Sequence, residues 1–219
     1  MKLVIGNKNY STWSLRGWLA VKQSGLAFDE IVIPLYDANW AQMKRTPLLA
    51  PSLGKVPILW EGDRAVWDST AILDFLADRV GQDRFWPLDQ TARAMARSMA
   101  AEMHSGYLPL RRQCRMNFRT RFAGIELDAE ARGNVDRIVQ LWTDARTRFG
   151  APGAFLFGAF SAADIAFAPV VGRFVANGIH LPDVAAMYVR AIWEHEWMRE
   201  WIAGAQAEPW VIEKFEKSP

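Results

Sequence analysis

Leu3-Val4-Ile5 is a short continuous apolar run and reads as a buried strand. The polar loop Gly6-Asn7-Lys8-Asn9 ends it, and Leu15, Trp18, Leu19 and Val21 then follow at helical spacing up to a stop at Gly25. Ile31-Val32-Ile33-Pro34-Leu35 predicts a second strand. A short amphipathic stretch from Trp40 to Arg45 leads into a segment punctuated by Pro47 and Gly54. Ile58-Leu59-Trp60 and Val66-Trp67, joined by Glu61-Gly62-Asp63-Arg64, predict a hairpin. Ser69 follows as an N-cap candidate for a helix with apolar positions at Ile72, Leu73, Phe75 and Leu76. The order is β-α-β-α-β-β-α. Its first crossover makes two strands parallel and its hairpin makes two antiparallel, giving a mixed four-stranded sheet.

The pattern changes after residue 80. Residues 81–90 carry Gly, Pro and polar residues and read as a linker. From Thr91 on the periodicity is helical: Ala92 to Met103, Asp128 to Phe149, a helix starting near Ser161, one near Asp183, and a last one around Trp197 to Ala203. No alternating β-branched run follows Trp86. The expected division is 1–80 as an α/β domain, 81–90 as a linker and 91–219 as an all-α domain.

Composition narrows the picture. Of 219 residues, 51% are apolar and 23% charged, as in a soluble globular protein. The net charge of +2 points to no particular partner. A basic run, Arg111-Arg112-Gln113-Cys114-Arg115, is too local to predict nucleic-acid binding. One cysteine excludes an intrachain disulfide framework and an all-cysteine metal site, and no metal is expected. No apolar run reaches membrane-spanning length, and the start of the chain turns polar too soon for a signal peptide. The expected location is the cytoplasm, with no membrane partner.

The candidate chemistry gathers at helix starts. Asp68 and Ser69 place a carboxylate and a hydroxyl at the positive end of a helix, where backbone amides bind anions; the same pair also serves as an ordinary cap. Pro57 heads a strand, where its missing N–H is tolerated. Ser161-Ala162-Ala163-Asp164 has the spacing of a capping box and reads as structural.

Four segments, in order, resemble those of the cytosolic glutathione S-transferases, most closely the bacterial, serine-type members. They are Ser11-Thr12-Trp13-Ser14-Leu15-Arg16, Gly54-Lys55-Val56-Pro57, Asp68-Ser69-Thr70-Ala71-Ile72, and Gly158 to Asp164. The resemblance spans Lys2 to about Trp201. It implies a thioredoxin-like first domain, an all-α second domain and a transferase that attacks a small, largely apolar electrophile with glutathione. Detoxification and a homodimer are part of the same expectation. Glutathione is then a co-substrate, and no cofactor is permanently bound. A glutathione-dependent isomerase, or a non-catalytic glutathione-binding or protein-interaction module, shares these segments.

A thiol must ionise before it attacks, and a hydroxyl donating to sulfur favours the thiolate. By resemblance Ser11 is that donor, with Ser14 and Tyr10 as alternatives. Val56 offers backbone groups to the tripeptide beside a cis Pro57, Asp68 and Ser69 hold its γ-glutamyl end, and Lys55 pairs with a carboxylate. Trp13, His104, Tyr107, Arg111 and Cys114 are the candidates for the electrophile site. Asn9 to Ser14 contains no cysteine, which argues against the thiol-transfer branch of the family. Asp68 is one carbon shorter than the Glu more often found in the family, and Thr12-Trp13 replaces the frequent Pro-Phe.

Overall fold

The computed structural model describes residues 1–122 and 124–217. Strand β1 (Lys2–Gly6) lies inside a four-stranded sheet of order β2-β1-β3-β4, with β2 at Asp29–Ile33, β3 at Ile58–Glu61 and β4 at Arg64–Val66. β1 runs parallel to β2 and antiparallel to β3, and β3–β4 form the hairpin. Gly62 takes φ 62° in its turn, a conformation that glycine adopts without a Cβ penalty. β2 starts two residues before the apolar run and stops at Ile33, because pairing begins with Lys2 opposite Asp29 and Pro34 has no N–H to continue it.

Alternation along β1 feeds two cores. Leu3 and Ile5 join Leu59 on the face covered by α1 (Thr12–Ser24) and α3 (Ser69–Val80). Val4 points the other way, to Ile33, Leu49 and Ile58, with α2 (Trp40–Met43) packed over them. Gly17 lets α1 lie against the sheet: a Cβ there would sit 2.7 Å from Pro57 Cγ.

Beyond α3 the regular structure of the described chain is helical apart from two isolated bridges between residues 155 and 159. It comprises α4 (Gln90–Ser105), α5 (Leu108–Gln113), α6 (Ala129–Phe149), α7 (Ala162–Ala176), α8 (Asp183–Glu194) and α9 (Glu196–Ala207). α7 is buried along nearly its whole length, and α1 packs against it through an Arg16 Nε–H bond to the Ala166 carbonyl at 2.9 Å. Arg16 is therefore part of the contact between the sheet-bearing and helical parts. Among the described residues no helix is long and apolar enough to cross a membrane.

The capping box of α7 is complete. Asp164 is fully buried and accepts from Ser161 N–H at 2.8 Å, Ser161 Oγ–H at 2.8 Å and Leu156 N–H at 3.1 Å. Burial outweighs these bonds and lifts its carboxyl from 3.8 to about 6. Because the folded value is the higher one, this group's stabilising contribution is full below pH 3.8 and is lost as pH rises through about 6. Asp164→Ala leaves two buried N–H groups without an acceptor. The expected cost is about 3 kcal/mol, read as a fall of roughly 6–12 °C in a thermal melt.

Candidate active site

The loop from β1 to α1 is organised by two serines. Ser14, fully buried in the first turn, accepts the Gly6 N–H at 2.9 Å, which ties the helix to the strand end. Ser11 is the N-cap of α1; its Oγ lies 2.8 Å from Ser14 Oγ and accepts the Ser14 N–H at 3.3 Å. Ser11 borders a cavity of about 680 Å³ and Ser14 lies behind it.

Opposite Ser11 runs the segment before β3. Ser52 is buried and holds this turn, accepting the Lys55 N–H at 2.9 Å and donating to the Lys55 carbonyl at 2.5 Å. Val56–Pro57 is a cis peptide bond. Val56 makes no backbone hydrogen bond among the described residues, so a short free edge faces the cavity, with the exposed Lys55 beside it.

The third wall is the start of α3, and here the sequence expectation needs correcting. Asp68, not Ser69, is the N-cap: its Oδ1 accepts the Thr70 N–H at 2.9 Å, and Ser69 is the first helical residue. Asp and Ser cap equally well, and Asp68 is the one that His104 also holds. Ser69 Oγ has no partner among the described residues. The other carboxylate oxygen of Asp68 meets His104 Nε2 at 3.1 Å, and His104 Nδ1 lies 2.9 Å from Thr70 Oγ1. These contacts link α3 to α4 at the rim.

Trp13 and His104 stand together on the helical side, in an edge contact with centroids 5.0 Å apart. Trp13 is flanked by two cations, Arg16 at 4.7 Å and Arg111 at 5.1 Å from its ring centre. Arg111 does not line the cavity; it donates to the carbonyls of Met103 and His104. Tyr107 also lies outside, buried, with its hydroxyl donating to Glu102 at 2.5 Å; burial, then that bond, push its pKa up. Cys114 is fully buried after α5 and outside the cavity. All three follow from α5, a helix that the sequence pattern did not predict; it buries Leu110 and leads Cys114 into the core while Leu108 and Arg112 stay exposed.

Tyr10 reaches the cavity with its ring, but its hydroxyl is committed. It donates to Glu216 and accepts from Arg119 Nη2 at 2.8 Å and the Ile212 N–H at 3.3 Å. Burial, followed by the Glu216 bond, raises its pKa. The fourth wall is aromatic: Tyr36, Trp40, Trp67 and Phe215. Tyr36 is 55% exposed and meets Phe215 at 6.0 Å, edge to face, while Lys214 Nζ sits 3.6 Å over the Tyr36 ring. None of these four was singled out from the sequence as a site residue; Trp40 and Trp67 were read only as parts of local elements, and Tyr36 and Phe215 gave no periodic signal. Among the described residues no cluster of His, Cys, Asp or Glu is placed to hold a metal ion.

Residues 10–79 match the family model described as glutathione S-transferase, N-terminal domain. No curated protein matches the chain. Among solved structures, a glutathione transferase homolog from Burkholderia GL BGR1 with bound glutathione is 20% identical, with a TM-score of 0.69 over 94% of this chain and 98% of that one. A diazinon-metabolizing glutathione S-transferase of the silkworm Bombyx mori is 14% identical, with a TM-score of 0.70 over 93% and 96%. Human glutathione-S-transferase T1-1 in its apo form is 20% identical, with a TM-score of 0.62 over 98% and 94%. Residues 10–79 thus resemble the N-terminal domain of the glutathione S-transferases, and the whole chain has the two-part fold of these structures: a thioredoxin-like domain followed by a helical one.

Cys114 provides a check on the inward turn of α5. Burial pushes its thiol up to about 11. The native protein at pH 8 should leave it unlabelled by a chromogenic disulfide reagent over minutes, with one equivalent released on denaturation. Rapid native labelling would show that residues 108–114 are open to solvent.

Proposed function

We propose that the chain is a glutathione transferase in which Ser11 keeps the thiol of glutathione ionised. The support is the pair of hydroxyls at the start of α1. Ser14 Oγ accepts the Gly6 N–H at 2.9 Å and the Ser11 hydroxyl at 2.8 Å. When a sulfur enters, both hydroxyls rotate: Ser14 donates to Ser11 Oγ and the Ser11 proton turns into the cavity. A sulfur there receives a hydrogen bond strengthened by a chain that runs Gly6 N–H, Ser14, Ser11. Bonding to the charged form and the N-terminal dipole of α1 both favour thiolate over thiol.

The tripeptide then lies along the free Val56 edge, its cysteinyl backbone pairing with the Val56 N–H and C=O as a short added strand. The γ-glutamyl carboxylate meets the first amides of α3 and the Ser69 hydroxyl, its ammonium meets Asp68, and Lys55 takes the remaining carboxylate. The thiol proton passes to solvent. The thiolate forms a carbon–sulfur bond to the electrophile, and the leaving group departs with the electron pair of the bond it breaks. Trp13, Tyr36, Trp67 and Phe215 suit a planar, apolar electrophile.

Ser11→Ala decides the assignment. Its kcat/KM for an activated aryl halide should fall about 10²-fold, the scale for loss of one donor to developing negative charge, while glutathione still binds by calorimetry. Undiminished turnover would remove Ser11 from the mechanism. The wild type binding glutathione but turning over no aryl halide would leave a binding module.

A further inference from the structure

A second, much smaller void of about 30 Å³ lies between α1, α3, α4 and the start of α7. This is room for one or two waters or one monatomic anion. Its polar side chains are Arg16, Ser69, Thr70, Trp86 and His104, of which Thr70 Oγ1 and His104 Nδ1 are paired with each other at 2.9 Å. Arg16 reaches it from α1, Ser69 from the first turn of α3, and Trp86 from the segment between the two parts of the fold.

Arg16 is 5% exposed, and among the described residues it forms no ion pair. Burial, then the neighbouring cations Arg111 and Arg173, push its pKa well down, against the opposing field of Asp68. The Asp68 carboxylate is half exposed and already engaged by Thr70 N–H and His104. Ser69 Oγ and Trp86 Nε1 are both buried without a hydrogen-bond partner among the described residues. Ala162, the first residue of α7, also lines the void, its N–H bonded to the Phe85 carbonyl at 2.8 Å, and the positive ends of α3 and α7 are each offset by a carboxylate in the same turn, Asp68 and Asp164.

A buried cation and two orphaned donors each carry a desolvation cost. Water relieves the donors but leaves the charge. A carboxylate or sulfate is too large for the space. We propose that this void binds a single halide ion, held by the Arg16 guanidinium, the Ser69 hydroxyl and the Trp86 indole N–H. Ser69 borders both the void and the main cavity. Its one proton serves the halide in the unliganded protein and is contested when a carboxylate occupies the larger site.

The test uses the full chain without glutathione. Crystals soaked in sodium bromide and measured at the bromine edge should show an anomalous peak within hydrogen-bond reach of Ser69 Oγ and Trp86 Nε1. In solution, sodium chloride should raise the melting temperature saturably, by about 3 °C over sodium gluconate at equal ionic strength, since gluconate cannot enter. Trp86→Phe, or Ser69→Ala if the first variant does not fold, should lose at least half of that rise. Water without anomalous signal, or identical melts in the two salts, overturns the proposal. So does a chloride-specific rise that both variants keep in full. A bromide peak with no chloride-specific rise means binding at crystal concentration only, and also overturns it.

Discussion

A buried backbone N–H has to find an acceptor, and at Gly6 that acceptor is a side chain, Ser14 Oγ. This bond fixes where α1 begins relative to the sheet. With Ser14 anchored, Ser11 has only one place to be, at the cap, with its hydroxyl between the helix end and the cavity. The opposite wall is set by the same helix, because Gly17 allows Pro57 to pack directly onto it. One hydrogen bond and one missing side chain thus hold the two sides of the cavity at a defined separation.

The loop that carries Ser11 is also held from the helical side. Asn9 Oδ1 accepts the N–H groups of Phe118 and Arg119, at 2.7 and 3.2 Å. The Glu208 carboxylate accepts those of Lys8 and Asn9, at 2.6 and 3.2 Å. Trp18 and Trp201 meet at 5.4 Å, and Lys8 pairs with Glu30 at 2.6 Å beneath them. The Asn9 and Glu208 bonds join residues 109 to 200 positions apart and are made to backbone N–H groups that would otherwise lack partners. Their effect is local rigidity at the point where a reacting sulfur would lie.

Much of the fold could be read from the sequence because its signals are short in range. The continuous apolar run of β1, the Gly-Asp turn of the hairpin, the Gly25 stop and the Ser161–Asp164 box each lie within a few residues of what they specify. The misses lie where a distant partner decides. Whether Asp68 or Ser69 caps α3 depends on which side chain His104 also engages. α5 is too short for a period to show, and Cys114 and Tyr107 turn inward because α6, α7 and Glu102 receive them. The Tyr10 hydroxyl is taken by residues 212 and 216, and no local pattern in Asn9 to Ser14 announces that. The positions of Ser11, Val56, Pro57 and Asp68 around one cavity were expected from the ordered segments; its aromatic wall was not.

Phe215 closes that wall, and Glu216 holds Tyr10 from the same short turn. In a chain made from its N-terminus, the sheet, α1 and α3 are all synthesised before the first helix of the second part. The cavity therefore stays unfinished long after the sheet that floors it has been made. Its completion reports that synthesis has passed residue 216.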